Sequence, residues 1–157
     1  MKIDYLNTYN NLINLSRNKN IYLEFTDNDT FSDRLMILLL HFAFFLKNNK
    51  DKATKKNNQD FYDGFFKYLE INIREIGYGD AKINKNMKNY NNILYSILDK
   101  IDPWNEISFL EKESVLSNLL DTKKKPVKLV NYFERFDKYL KKTPLNCFLK
   151  GVINHKF

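Results

Sequence analysis

A chain of 157 residues with 43% apolar and 15% aromatic residues is long enough for one packed domain, burying roughly two-thirds of its unfolded surface. Its formal charge of +7 favours weak attraction to anionic partners such as ribosomal RNA or acidic lipid. The 22 lysines are scattered, arginines number only four, and there is no arginine fork or RNA-binding aromatic motif, which argues against DNA and against sequence-specific nucleic-acid reading.

Lys, Asn, Ile, Phe and Tyr all have AT-rich codons, so much of the compositional bias reflects genome composition. The single cysteine, Cys147, excludes an internal disulfide and fits core packing in a reducing compartment. Met1 to Tyr5 shows no apolar signal segment and no transit-peptide pattern, so a bacterial cytoplasmic protein is expected.

In chain order, Leu6, Tyr9, Leu12, Ile13 and Leu15 predict a helix with one apolar face from about Asp4 to Ser16. Ile21 to Phe25 is apolar but has no partner strand, so an extended or single-turn segment is expected. Asp29 or Thr30 can cap the next helix. Phe31 to Lys47 is the most hydrophobic stretch, and its apolar run Leu35–Leu46 has twelve residues including His41. A membrane span needs about 20 apolar residues, so this is read as a central helix surrounded by others. His41, alone on it, reads as a hydrogen-bonded core residue.

Asn48 to Asn58 is expected to be a solvated, lysine-rich loop, the rival reading being a basic docking loop for RNA or phospholipid. Gln59 to Ile76 predicts a second strong helix, with Tyr62, Phe65, Phe66, Leu69, Ile73 and Ile76 on one face. Gly77 stands where a helix C-cap needs positive φ, Gly79 permits a tight turn, and Asp80 offers an acceptor to the next helix. Arg74 lies in the last helical turn, where a cation suits the dipole.

Lys82, Lys85 and Lys88 recur at three-residue steps near the next helix start, a position where the dipole disfavours cations. Tyr90, Ile93, Leu94, Ile97, Leu98 and Ile101 form that helix's apolar face, and Asp102-Pro103 ends it. Trp104 to Asp121 predicts a further helix with Ile107, Leu110, Val115, Leu116, Leu119 and Leu120 inward. Val127 to Lys142 is amphipathic through Leu129, Val130, Phe133, Phe136 and Leu140. Pro144 restarts a short helix through Leu145, Phe148, Leu149 and Val152.

The expected fold is all-α: one bundle of six to seven helices around a central apolar helix at about 31–47, with the chain 1–157 forming a single domain. His41 and His155 are the only imidazoles. No Cys/His ligand set, Glu-x-x-His pair, nucleophile elbow or phosphate loop appears, so no metal, cofactor or catalytic residue is expected.

Leu69-Glu70-Ile71-Asn72-Ile73-Arg74-Glu75-Ile76-Gly77-Tyr78-Gly79-Asp80 resembles the D-x-x-L-R-E-M-G-V-G-D signature of the ubiquinol–cytochrome c chaperone family. Asp29 to Leu35, with Arg34, is similar to the family's D-T-x-D-G-R-F, and Leu40-His41 comes after it at the family's spacing. Leu12 to Arg17 with Tyr22 resembles its opening helix, and Leu149-Lys150-Gly151 with Phe157 its closing segment. Departures are Asp33 for a glycine, Asn72 for an apolar or small residue, and Lys82 and Asn84 in place of a second glycine pair.

The resemblance implies a non-catalytic assembly factor that binds newly synthesised cytochrome b and promotes assembly of respiratory complex III. It implies contact with the ribosome, a small partner protein, and peripheral attachment at the cytoplasmic face of the inner membrane. On this reading Arg34, Arg74, Glu75, Asp80, Lys82, Lys85 and Lys88 form the partner-binding surface, with Gly77 and Gly79 as its structural turn; the structural alternative for Arg74 and Asp80 is that they simply pin the corner by a charged hydrogen bond. The alternative is a general ribosome- or RNA-associated basic helical protein.

Overall fold

Six α-helices and one 3₁₀ turn make up the described residues of the computed structural model, which are 5–17, 21, 30–50, 55–77, 79–122 and 126–144; no strand occurs among them. The helices are α1 (Tyr5–Ser16), α2 (Phe31–Asn49), α3 (Lys55–Glu75), α4 (Asp80–Ile101), α5 (Phe109–Leu120) and α6 (Val127–Lys142), with the turn at Trp104–Glu106. The segment 22–25, the helix expected over 145–152, Cys147 and His155 lie outside the described residues.

Thr30 opens α2 by accepting a hydrogen bond on Oγ1 from the Asp33 backbone N–H at 3.2 Å. From Ile37 to Leu46 every residue is buried, so α2 has no solvent face over almost three turns. It packs on α1, α4, α5 and α6. Against α3 its contact is made by rings: Phe42 stacks on Phe65 with centroids 3.8 Å apart, and Phe45 meets Phe61 edge-on at 5.3 Å.

The same pairs show that α2 and α3 are antiparallel. Tyr5–Phe61 and Tyr9–Phe65 make α1 parallel to α3, Tyr62–Tyr95 makes α4 antiparallel to α3, and His41–Tyr132 with Asn48–Asp137 makes α6 parallel to α2. One end of the bundle therefore collects the starts of α2 and α4 and the end of α3. The opposite end holds the end of α4 and the start of α5.

Aromatic residues close the centre. Phe44 stacks on Phe133 at 4.9 Å and meets the fully buried Trp104 edge-on at 5.2 Å. Burying rings of this size accounts for much of the drive to fold, since each removes roughly 150–250 Å² from water.

Several expectations are corrected. The 48–58 stretch is not one loop: Asn48 and Asn49 belong to α2, and α3 already begins at Lys55. Asn48 is held because its Nδ2 donates to the Phe44 carbonyl at 2.9 Å and to Asp137 at 2.8 Å. The single helix expected from Trp104 to Asp121 is broken at Ile107, which is extended (φ −97°, ψ 156°). There Ser108 accepts from the Glu111 N–H at 3.2 Å and starts a new helix, a side-chain bond that competes with continuation. One expectation is met at its described residue: Ile21 has helical backbone and is buried, in keeping with a single turn packed on the core.

Three apolar positions assigned to inward faces point out instead. Ile76 stands just past the end of α3 and is 60% exposed, Leu110 is 73% exposed on the first turn of α5, and Leu6 is 44% exposed on α1. No described helix is long and apolar enough to cross a membrane.

Candidate functional site

The turn from α3 to α4 is built on Gly77, whose φ of +102° lies in the left-handed region that a side chain disfavours. Its N–H donates to the Arg74 carbonyl at 3.0 Å and the Ile76 N–H to the Ile73 carbonyl at 3.2 Å, satisfying carbonyls of the last turn. Gly79 differs. Its φ of −70° and ψ of 154° are open to any residue, and it is the N-cap of α4 with no side chain to accept a bond. Asp80 is accordingly the first residue inside α4 and not its cap.

What Asp80 does is accept from Arg74. The guanidinium Nη1 donates to Asp80 across the turn, and Nη2 donates to Glu70 at 3.0 Å one turn back. The two hydrogen bonds, Glu70 first and Asp80 second, raise the Arg74 pKa above its ordinary value. The pair is exposed, so salt and water screen it. Glu70 is absent from the set of site residues expected from sequence, although its four-residue spacing ahead of Arg74 is a signal for such a pair.

Glu75 is exposed beside this cluster, and Lys82, Lys85 and Lys88 are exposed on one side of α4. Between Ala81 and Leu98 that helix carries no acidic residue, so the lysines form a strip of one sign. Arg34 is exposed on the first turn of α2 and so lies at the same end of the bundle as Arg74 and Asp80. The structure thus joins Arg74 to Asp80 directly, and gathers Arg34, Glu75 and the lysines to that end.

Asn72, where the family pattern has an apolar or small residue, donates from Nδ2 to the Tyr9 hydroxyl at 2.7 Å. It ties α3 to α1 one turn before the corner. Burial raises the Tyr9 pKa above its ordinary value, with Asn72 acting in the opposite sense.

His41 is fully buried. Its Nδ1 lies 2.8 Å from the Ile37 carbonyl, which only accepts, so Nδ1 carries the proton and Nε2 accepts from the Tyr132 hydroxyl at 2.6 Å. Burial lowers its pKa to about 4, offset in part by the Ile37 carbonyl. Both nitrogens are engaged and rings of Phe133 and Phe136 pack at 5.2 and 5.1 Å, so the imidazole braces α2 against α6. Tyr132 stands three residues after Leu129 and four before Phe136, so spacing alone puts it on the buried side of α6; what spacing does not give is its partner, His41. Among the described residues no cluster of His, Cys, Asp and Glu is arranged to hold a metal.

The family model described as Ubiquinol-cytochrome C chaperone matches residues 23–154, most of the chain. The protein belongs to the ubiquinol–cytochrome c chaperone family. Membership implies a role in assembling complex III, in a family that is generally non-catalytic. Searches of curated proteins and of solved structures found no match. Within this chaperone family member, the matched region takes in the whole Arg74–Asp80 corner, the basic face of α4 and His41.

Proposed function

We propose that this protein binds newly synthesised cytochrome b without catalysing a reaction and holds it for assembly into complex III. Family membership carries the reading. The corner supports it: Arg74 pairs with Asp80 across the turn, Ile76 stands out from it, and cations flank it. A client membrane protein offers apolar segments for Ile76 and polar loops for Glu75 and the lysines. Arg34 would extend the same surface. The site of action is the cytoplasmic face of the inner membrane, where the client is inserted, with the ribosome and a small assembly partner as further contacts.

The test is a reduced-minus-oxidised spectrum of membranes from cells depleted of the protein. Selective loss of the complex III cytochrome b signal, with other cytochromes intact, is expected. An unchanged b signal removes the proposal.

The acid-free strip of Lys82, Lys85 and Lys88 favours one second reading, a general ribosome- or RNA-associated protein. Binding to bulk RNA would then weaken steeply with rising salt. Salt-insensitive client binding would speak against it.

A further inference from the structure

The segment from Asp102 to Glu113 inverts the charge of the protein. In a chain of net charge +7 it carries four acids, Asp102, Glu106, Glu111 and Glu113, and one base, Lys112. Lys112 is turned inward: it pairs with Glu134, lies 5.3 Å from the centre of the Trp104 ring, and its side chain is 13% exposed. Asp102 is exposed and pairs with Lys50 at 3.1 Å on the surface.

On this acidic background two large apolar side chains stand side by side in water. Phe109 is 42% and Leu110 73% exposed, the latter the most exposed large apolar residue among those described. The Ser108 cap and the extended Ile107 fix the first turn of α5, so the pair is displayed from an ordered helix start. Acids in a first turn suit the helix dipole, which accounts for Glu111. It does not account for adjacent Phe and Leu facing solvent, since burying each would be favourable.

We infer that the start of α5 is a docking surface for a basic, amphipathic polypeptide segment. Its apolar side chains cover Phe109 and Leu110, and its lysines or arginines face Glu106 and Glu111. The surface lies at the opposite end of the bundle from the Arg74–Asp80 corner, separated by the 22 residues of α4, about 33 Å of helix. A partner at one end therefore leaves the other open, and the inference holds whatever client the corner takes.

Fluorescence anisotropy on the full chain tests it, with a labelled helical peptide of Leu and Lys that places Leu on one face. A second peptide has Glu in place of every Lys. The Leu/Lys peptide should bind and the Leu/Glu peptide should not. Phe109→Ser with Leu110→Ser should weaken binding about tenfold or more, with an unchanged melting curve. Glu106→Lys with Glu111→Lys keeps the apolar pair and should weaken binding similarly, which decides the matter if the serine variant melts early.

Equal binding by wild type and the charge-reversed variant, or no binding of the Leu/Lys peptide, overturns the inference. So does sedimentation that shows self-association abolished by Leu110→Ser, because the occupant is then a second copy of the chain.

Discussion

His41 on α2 and Tyr132 on α6, 91 positions apart, share a 2.6 Å hydrogen bond in which the hydroxyl donates to Nε2. With Nδ1 bound to the Ile37 carbonyl, the neutral ring is the only form that this arrangement satisfies, because protonated Nε2 would become a second donor.

Stability should fall as pH drops from about 6.5 towards 4. The folded pKa is lowered to about 4 from an unfolded value of 6.5, so the unfolded state takes up the proton first. The contribution is complete above the unfolded value, and its loss across the window is roughly 3 kcal/mol. Urea unfolding between pH 7 and pH 4 measures it, and His41→Gln should flatten the slope. Tyr132→Phe leaves Nε2 buried without a donor and should cost about 1–3 kcal/mol at neutral pH.

Asp137, 3% exposed at its side chain, receives Asn48 at 2.8 Å, Lys141 at 2.9 Å and Lys47 at 3.5 Å. Burial pushes its pKa up, but these partners outweigh that and hold it below the ordinary value. Its contribution is present above the ordinary carboxylate value and is lost as pH falls below it. Asp137→Ala strands the Lys47 ammonium, 11% exposed, and should cost roughly 3 kcal/mol in denaturant titrations.

The two corner glycines should respond oppositely. Gly77→Ala forces a side chain to φ +102° and should destabilise by about 1–2 kcal/mol. Gly79→Ser adds a cap acceptor where a Cβ would meet nothing within 4 Å, so stability should rise by a few tenths of a kcal/mol, about the usual gain over a glycine cap. Thermal melts of both variants check this. If Gly79→Ser melts well below wild type, the N-cap assignment fails.

Arg74→Ala and Asp80→Ala separate holding the corner from binding a client. The pair is solvent-exposed and screened, so melting should change little while complex III cytochrome b absorbance in cells falls. A large drop in melting temperature for either variant would mean that the pair serves the fold and not the client.

The sequence by itself determined the helical class, the central helix beginning after Thr30, the apolar faces of α3, α4 and α6, and a left-handed break at Gly77. These are local matters: a 3.6-residue period, a capping side chain and a backbone angle are all written within a few residues. It also carried the family signature around Arg74-Glu75, because that motif is contiguous.

Tertiary structure alone decided which of the periodic residues are covered. Leu110 and Ile76 fit their helices' repeats and yet face water, because Ser108 and Gly77 turn the chain just there. It also decided the long-range partners. Nothing near Lys47 or His41 points to Asp137 or Tyr132, since both pairs arise only when α6 is laid parallel to α2. For Asp80 the sequence offers two roles, an acceptor for the next helix start and a charged partner pinning the corner with Arg74; the structure takes the second, because the cap position falls one residue earlier, at Gly79. Periodicity tells a chain which face to hide, and only packing tells it against what.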